Sequence, residues 1–297
     1  MISFRNHVVS LLAVFLALAI GIVLGGGPMS AVGRGDDDRT SSTRDTAALE
    51  SAQAEADYAD ELNGSLAARA YDDGLSGTSV AVLSLPGAGS GAGDDLAEQI
   101  EAAGGTVAGR YEVLDALTAP GEKTLVDSLG SQLSTQNKGV VADGASTYDR
   151  IGQILGRAVA TPQEQPGRLD GTASTLAESL SAADLLRSPQ RVSERAPYVV
   201  VLLGDDRGER ADPAYEGIIA GLSRTARGVV VAGTAADGRD GLLSRLRETS
   251  AAEGAATVDG LDRTSGVVTT VLALTAWPES RGGAFGASGS DGAVPIG

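Results

Sequence analysis

The sequence predicts an α/β fold: a single amino-terminal transmembrane helix, a short coiled-coil-like stalk, and an exported three-layer domain on a mainly parallel sheet. Three observations carry this expectation. Residues 8–24 form an uncharged apolar run, residues 44–71 are proline-free and rich in Ala and Glu, and from Thr78 short β-branched runs alternate with helical stretches. Strands that are apolar throughout, separated by helices, are the pattern of a sheet buried on both faces and joined by right-handed crossovers.

Met1-Ile2-Ser3-Phe4-Arg5-Asn6-His7 precedes the apolar run. At about 1.5 Å per residue the run just crosses a hydrocarbon core of about 30 Å. Arg5 and the amino terminus lie before it, whereas Arg34 and then Asp36-Asp37-Asp38 follow, so residues 1–7 are expected in the cytoplasm and the bulk outside. The run is longer than the apolar core of a signal peptide, and Gly25-Gly26-Gly27-Pro28-Met29 gives no Ala-x-Ala cleavage match. Residues 8–25 therefore read as an uncleaved plasma-membrane anchor. Within it Ala13, Ala17, Gly21 and Gly25 recur every four residues, a face on which a second helix backbone can approach closely. Such a face suits a homo-oligomer or a hetero-complex with another envelope membrane protein, although small residues are common in membrane helices generally. His7 reads as an interfacial polar residue, since a metal site needs several converging ligands.

Residues 26–43, rich in Gly, Ser, Asp and Thr, read as a flexible linker. Residues 44–75 read as the helical stalk, with its best heptad seam at Leu49, Ala52, Ala56, Ala59, Asn63, Leu66 and Ala70. Asn63 and Gly64 interrupt the seam and alanine buries little area, so a thin coiled coil and a solitary helix packed on the next domain both fit. Residues 76–278 form the exported domain. Strands are expected at 79–85, 105–113, 197–203, 228–232 and 256–258, and helices at 94–103, 121–136, 148–160, 172–186 and 239–249. A further helix opens at Asp212-Pro213, with Asp212 as cap and Pro213 in the first turn. Residues 265–277 read as a closing helix, although their Val and Thr content also fits a strand. The Gly/Ser-rich tail, residues 279–297, is expected to be disordered.

Thirty-nine acidic against twenty-three basic side chains give a net charge of -16. This balance disfavours nucleic acid as a partner. The chain has no cysteine and one histidine, so disulfides, thiolate chemistry and both Ser/His/Asp and Cys/His catalysis are excluded from the exported domain. After the anchor about 270 residues remain, enough by surface-to-volume scaling for a substantial core.

Two features point toward ligand chemistry. Gly87-Ala88-Gly89-Ser90-Gly91-Ala92-Gly93 follows a strand, precedes a helix and satisfies Gly-x-Gly-x-x-Ala, with Glu112 and Asp115 downstream as ribose candidates. Pro86 and the alternating glycines depart from the dinucleotide pattern, and a plain loop is the expected reading. Asp205-Asp206 stands at the carboxyl end of the strand at 197–203, with Asp237, Asp240, Asp259 and Asp262 in later loops. Carboxylates there could hold a hard cation or work as an acid/base pair, and aspartates in loops also serve turns and caps. No catalytic residue, cofactor or metal ligand is assigned, and the chain is read as non-catalytic.

The opening, Met1-Ile2-Ser3-Phe4-Arg5-Asn6-His7-Val8-Val9-Ser10 through Leu24-Gly25, resembles the start of the actinobacterial copper transporter family typified by mycobacterial copper transport protein B. The heptad-like stalk, the Pro86-Gly87-Ala88 turn, Asp262 ahead of Gly266-Val267-Val268-Thr269-Thr270-Val271-Leu272-Ala273-Leu274, and Gly283-Ala284-Phe285-Gly286 are similar as well. The resemblance implies a role in copper homeostasis or copper export, with copper as the transported ion. It also implies a second reading, a partner of a membrane protein in cell division and control of cell-wall hydrolysis. Reduced copper prefers thiolate and thioether, which the exported part lacks apart from Met29 near the membrane. One apolar helix cannot form a pore alone, so transport would require an assembly.

Overall fold

A computed structural model describes residues 38–277 and 281–295 of the chain. The apolar run, with Ala13, Ala17, Gly21 and Gly25, lies outside the described residues, as do His7 and Met29. Among the described residues no helix is long and apolar enough to cross a membrane. The chain divides into two compact units, residues 1–59 and 60–297.

Helix α1 (Asp38–Tyr71) begins in the first unit, where Leu49 and Tyr58 are exposed. It takes in residues 38–43, expected as linker, because that stretch has no glycine or proline to stop a helix. It ends at Tyr71, short of residue 75, where Asp72 and Asp73 turn left-handed with φ of 49° and 53°. In the second unit its last turns pack as core. Ala67 and Tyr71 are buried, as is Leu75 beyond them, and Tyr71 Oη donates to Gln99 Oε1 at 2.8 Å. Leu66 and Ala70, two positions of the heptad seam, stay exposed.

The second unit contains, in order, β1 (Ser79–Ser84), α2 (Ser90–Ala102), β2 (Thr106–Val113), α3 (Asp115–Thr118), α4 (Lys123–Gln136), α5 (Thr147–Val159), β3 (Gly167–Arg168), α6 (Gly171–Ala182), β4 (Leu186–Arg187) and β5 (Glu194–Arg195). There follow β6 (Tyr198–Leu202), α7 (Asp212–Thr225), β7 (Gly228–Ala232), α8 (Ala235–Arg239), α9 (Leu242–Arg247), β8 (Ala256–Val258), α10 (Thr264–Thr275) and β9 (Gly283–Phe285). Seven strands form one sheet in the order β4-β2-β1-β6-β7-β8-β9, parallel except for β4, which runs antiparallel to β2. Two-residue strands β3 and β5 pair separately.

Alternation along the strands sorts the core into two layers. Ala81, Leu83, Val199, Val201, Val229 and Val231 pack with residues of α5 and α7 such as Ile151, Ile154, Ile218 and Leu222. Val80, Val82, Val200, Leu202, Val230 and Ala232 pack on the other side with Leu96 and Ile100 of α2 and Val267, Val271 and Leu274 of α10. The closing segment is thus a helix, Thr264–Thr275, two residues shorter at its end than expected, and α10 is buried almost all round, which accounts for its Val and Thr content. The stretch expected as one helix at 239–249 is broken at Asp240-Gly241 into α8 and α9, because the capping box of Thr234 and Asp237 starts a helix earlier.

Helices α5 and α7 meet backbone to backbone through glycines. A Cβ on Gly152 would stand 2.6 Å from Ile218 O, and one on Gly221 would stand 2.5 Å from Asp149 O. Gly156 and Gly217 face equally tight contacts, with Thr225 Oγ1 at 1.8 Å and Tyr148 Cβ at 2.5 Å. These are the distances at which only hydrogen fits.

The tail departs from its expected disorder. Gly283–Phe285 adds β9 to β8, and Phe285 is buried. Asp259, fully buried, accepts from Arg247 Nη1 at 3.1 Å, Ala287 N at 2.6 Å and Ser288 N at 3.0 Å, while Arg247 Nη2 donates to Phe285 O at 2.8 Å. Composition alone misreads this segment because one phenylalanine and a distant ion pair hold it.

Gly221→Ala is expected to lower the thermal midpoint by about 5–10 °C, corresponding to about 2–3 kcal/mol of overpacking. Gly91→Ala, whose methyl group would meet nothing within 4 Å, should leave the midpoint unchanged or slightly raised. Calorimetry of the two variants checks this, and equal midpoints would show that α5 and α7 separate freely.

Candidate functional site

The strand order reverses between β1 and β6. From β1 the chain steps outward to β2, then returns to β6 on the other side and continues through β7, β8 and β9. The carboxyl ends of β1 and β6 therefore flank the crevice where open α/β sheets bind ligands. Both features singled out from the sequence meet there.

After β1, Leu85-Pro86-Gly87-Ala88 forms a turn with the type II signature: Pro86 in second place, Gly87 at φ +89°, and Ala88 N donating to Leu85 O at 3.0 Å. Leu85 N donates to Leu202 O at 2.9 Å and Asp205 N to Pro86 O at 3.1 Å, so the two loops stay joined beyond the strands. Gly204 permits this, since a Cβ there would stand 2.0 Å from Pro86 O. Above the joined loops lies an open cleft of about 420 Å³, walled by Gly87 to Gly89, the first turns of α2, Gly204 to Asp206, Thr234, Asp237 and Asp262. Residues 90–93, expected within the loop, are already helical, and Gly89 caps α2 without a side-chain bond.

Most of the carboxylates are engaged. Asp206 receives Arg245 Nη1 at 3.0 Å and Nη2 at 2.9 Å, together with Gly208 N at 2.8 Å. The same guanidinium donates to Asp212 at 2.6 Å and 3.1 Å, so one arginine joins two carboxylates. Arg245's hydrogen bonds hold the Asp206 carboxyl below the usual carboxylate range, against a smaller opposing effect of burial. Asp237 closes the capping box by accepting from Thr234 N at 2.9 Å and Thr234 Oγ1 at 2.7 Å. Asp262 accepts from Ala235 N at 2.8 Å, and Asp259 anchors the tail. Asp205 and Asp240 are exposed.

This arrangement bears on both features singled out from the sequence. The glycine motif does not come with a pyrophosphate site, because Asp205, Asp206, Asp237 and Asp262 rim the cleft with the wrong sign of charge. Glu112 is occupied by Arg187 across β2 and β4, and Asp115 by Arg207 Nη2 at 2.6 Å. Nor do the aspartates gather as metal ligands: among the described residues no group of three or more His, Cys, Asp or Glu converges. Arg245, 39 residues beyond Asp206, was invisible in the sequence because no local spacing links them.

The sequence profile of the family described as "Copper transport outer membrane protein, MctB" matches residues 1–296. The chain belongs to this family. Relatives named copper transporter MctB from Mycobacterium tuberculosis and Mycobacterium bovis are 30% identical over 300 residues, 92% of this chain and 92% of theirs. The copper transporter MctB of Mycobacterium leprae is 30% identical over 312 residues, with the same coverage. Membership of the MctB family thus takes in the amino-terminal apolar segment and the α/β domain together.

Arg245→Met is expected to cost about 2 kcal/mol in urea unfolding, less than for a fully buried pair because Arg245 and Asp206 are 27% and 33% exposed. Asp205→Asn should stay within about 0.5 kcal/mol of the parent. Asp206 has a folded pKa below its unfolded value of about 3.9, so its pairing contributes stability above about pH 4 that is lost as pH falls through the folded value. Asp206→Asn should flatten that part of the acid limb, read from unfolding free energies between pH 7 and pH 3; an unchanged limb would place the proton uptake elsewhere.

Proposed function

We propose that the chain is a single-pass, plasma-membrane-anchored envelope protein that supports copper export within an assembly, without a catalytic step of its own. Membership of the MctB family along almost the whole chain is the observation that carries this reading. Copper enters as cargo rather than as a resident ion. With no cysteine, and its single histidine at position 7, the exported part offers neither thiolate nor imidazole to copper, and its one thioether after the anchor is Met29. Near the switch point Asp206 is engaged by Arg245, Asp237 by a helix cap and Asp259 by Arg247 and the tail. Ligands for copper would then come from a partner or from a pore formed by several copies through Ala13, Ala17, Gly21 and Gly25. The open parallel sheet, covered by helices on both faces, favours the plasma membrane over insertion of this domain in an outer membrane as a barrel.

A second reading is an envelope scaffold that engages a membrane partner in cell division or cell-wall hydrolysis. Its support is the set of exposed apolar side chains on α1, Leu49, Tyr58, Leu62 and Leu66.

Cell-associated copper, with zinc and manganese as controls, separates the two in a deletion strain and its complemented parent. Copper alone is expected to rise under mild copper stress, with zinc and manganese unchanged. Unchanged copper, or all three metals rising together, would overturn the transport reading, and cross-linking in intact cells would then be the test of the scaffold.

A further inference from the structure

At the end of the sheet opposite the switch point lies a larger open cleft, about 800 Å³, bounded by the α4–α5 loop, the last turns of α5 and α7, the start of α6 and Arg195. In a chain of net charge -16 its lining carries Lys138, Arg157, Arg195 and Arg224 and no carboxylate. Two acids stand behind it. Asp170 takes both oxygens to Arg157 Nη2, at 2.8 Å and 2.7 Å, and receives Arg195 Nη2 at 3.4 Å, while Asp149 lies 3.5 Å from Arg224 Nε. The cations therefore outnumber their acids.

Helix ends account for Lys138, Arg157 and Arg224 singly, because cations are favourable at the carboxyl end of a helix. They do not account for Arg195, which β5 carries and which Ala160 O at 3.0 Å and Arg168 O at 3.2 Å hold in place. They do not account for Arg157 Nη1 either, buried without a hydrogen-bond partner among the described residues. Burial first, and then the neighbouring charge of Arg157, push the Arg195 guanidinium below its usual range, outweighing Asp170. A second acid would relieve this, and the protein does not supply one at the lining.

We propose that this cleft binds a small organic or inorganic anion with two or more carboxylate or phosphate oxygens, taken by Arg157 and Arg195 at the inner end and by Arg224 and Lys138 at the mouth. Planar guanidinium forks suit carboxylate and phosphate alike, and Val141 and Pro162 offer an apolar wall for the rest of the molecule. The copper reading is independent of this site and neither stands on the other.

Titration calorimetry of the full chain with citrate and, separately, inorganic phosphate tests it. Saturable binding with Kd at or below about 1 mM is expected at low salt, weakened by raising NaCl to about 200 mM. The double variant Lys138→Gln/Arg224→Gln should bind at least about tenfold more weakly, the loss of two charge-assisted contacts. Arg224 is 59% exposed, so the fold is retained, and a thermal midpoint matching the parent verifies it; should the midpoint fall, Lys138→Gln alone carries the test with about threefold weakening. Citrate without phosphate would make the ligand a carboxylate, and phosphate without citrate a phosphate. Absence of saturable binding by both, or undiminished binding in the variant, overturns the proposal.

Discussion

Backbone contact between α5 and α7 is the constraint on which the rest of this domain depends. Aromatic residues make up 3% of the chain, and 41 positions are glycine. Few large side chains are available to fill space, so the helices come closer instead. Dispersion rewards many short contacts, and a void of even part of an ångström forfeits much of it. With Gly152 and Gly156 against Ile218 and Thr225, and Gly217 and Gly221 against Tyr148 and Asp149, the two helices act as one slab beneath β6. Their carboxyl ends are then fixed relative to one another, which is why Arg157 and Arg224 converge on one cleft.

The same economy shapes the switch point. Gly204 lets the β6 loop lie on the Pro86 carbonyl, so the crevice between β1 and β6 is floored by main chain and not by side chains. A floor of peptide groups presents little specific chemistry. What remains at the rim is a set of aspartates already committed to Arg245, to Thr234 and to Ala235. The place where this architecture ordinarily keeps its ligand is here largely internal wiring.

Much of the architecture was readable from local pattern. Val199 to Leu202 and Gly228 to Ala232 are continuous and β-branched, and they stand in the sheet centre, buried on both faces. A helix does open at Asp212-Pro213, but Ala211 and not Asp212 holds the cap position, with no side-chain bond, because the Asp212 carboxylate is taken by Arg245. The features that escaped are those written at long range. Phe285 looked like one aromatic in a Gly/Ser tail until Arg247 and Asp259, 38 and 26 residues away, were brought beside it. The aspartates near the switch point were legible as a group, but the partner of Asp206 was not, because Arg245 comes 39 residues later from a separate crossover. The basic cleft gave no signal at all: Lys138, Arg157, Arg195 and Arg224 are spread over four elements and submerged in an acidic composition.

Both margins of the large sheet are closed by very short strands, β4 with two residues and β9 with three. A parallel sheet that ended at β8 would show Ala256, Thr257 and Val258 with unpaired amide and carbonyl groups, a template on which strands from other copies could add. The ion pair that binds the tail therefore does more than order a terminus. It brings in a strand whose outer side the tail itself covers, Asp291 N donating to Ala284 O at 3.0 Å and Ala284 N to Asp291 Oδ2 at 2.8 Å, so less of the margin is open to strand addition.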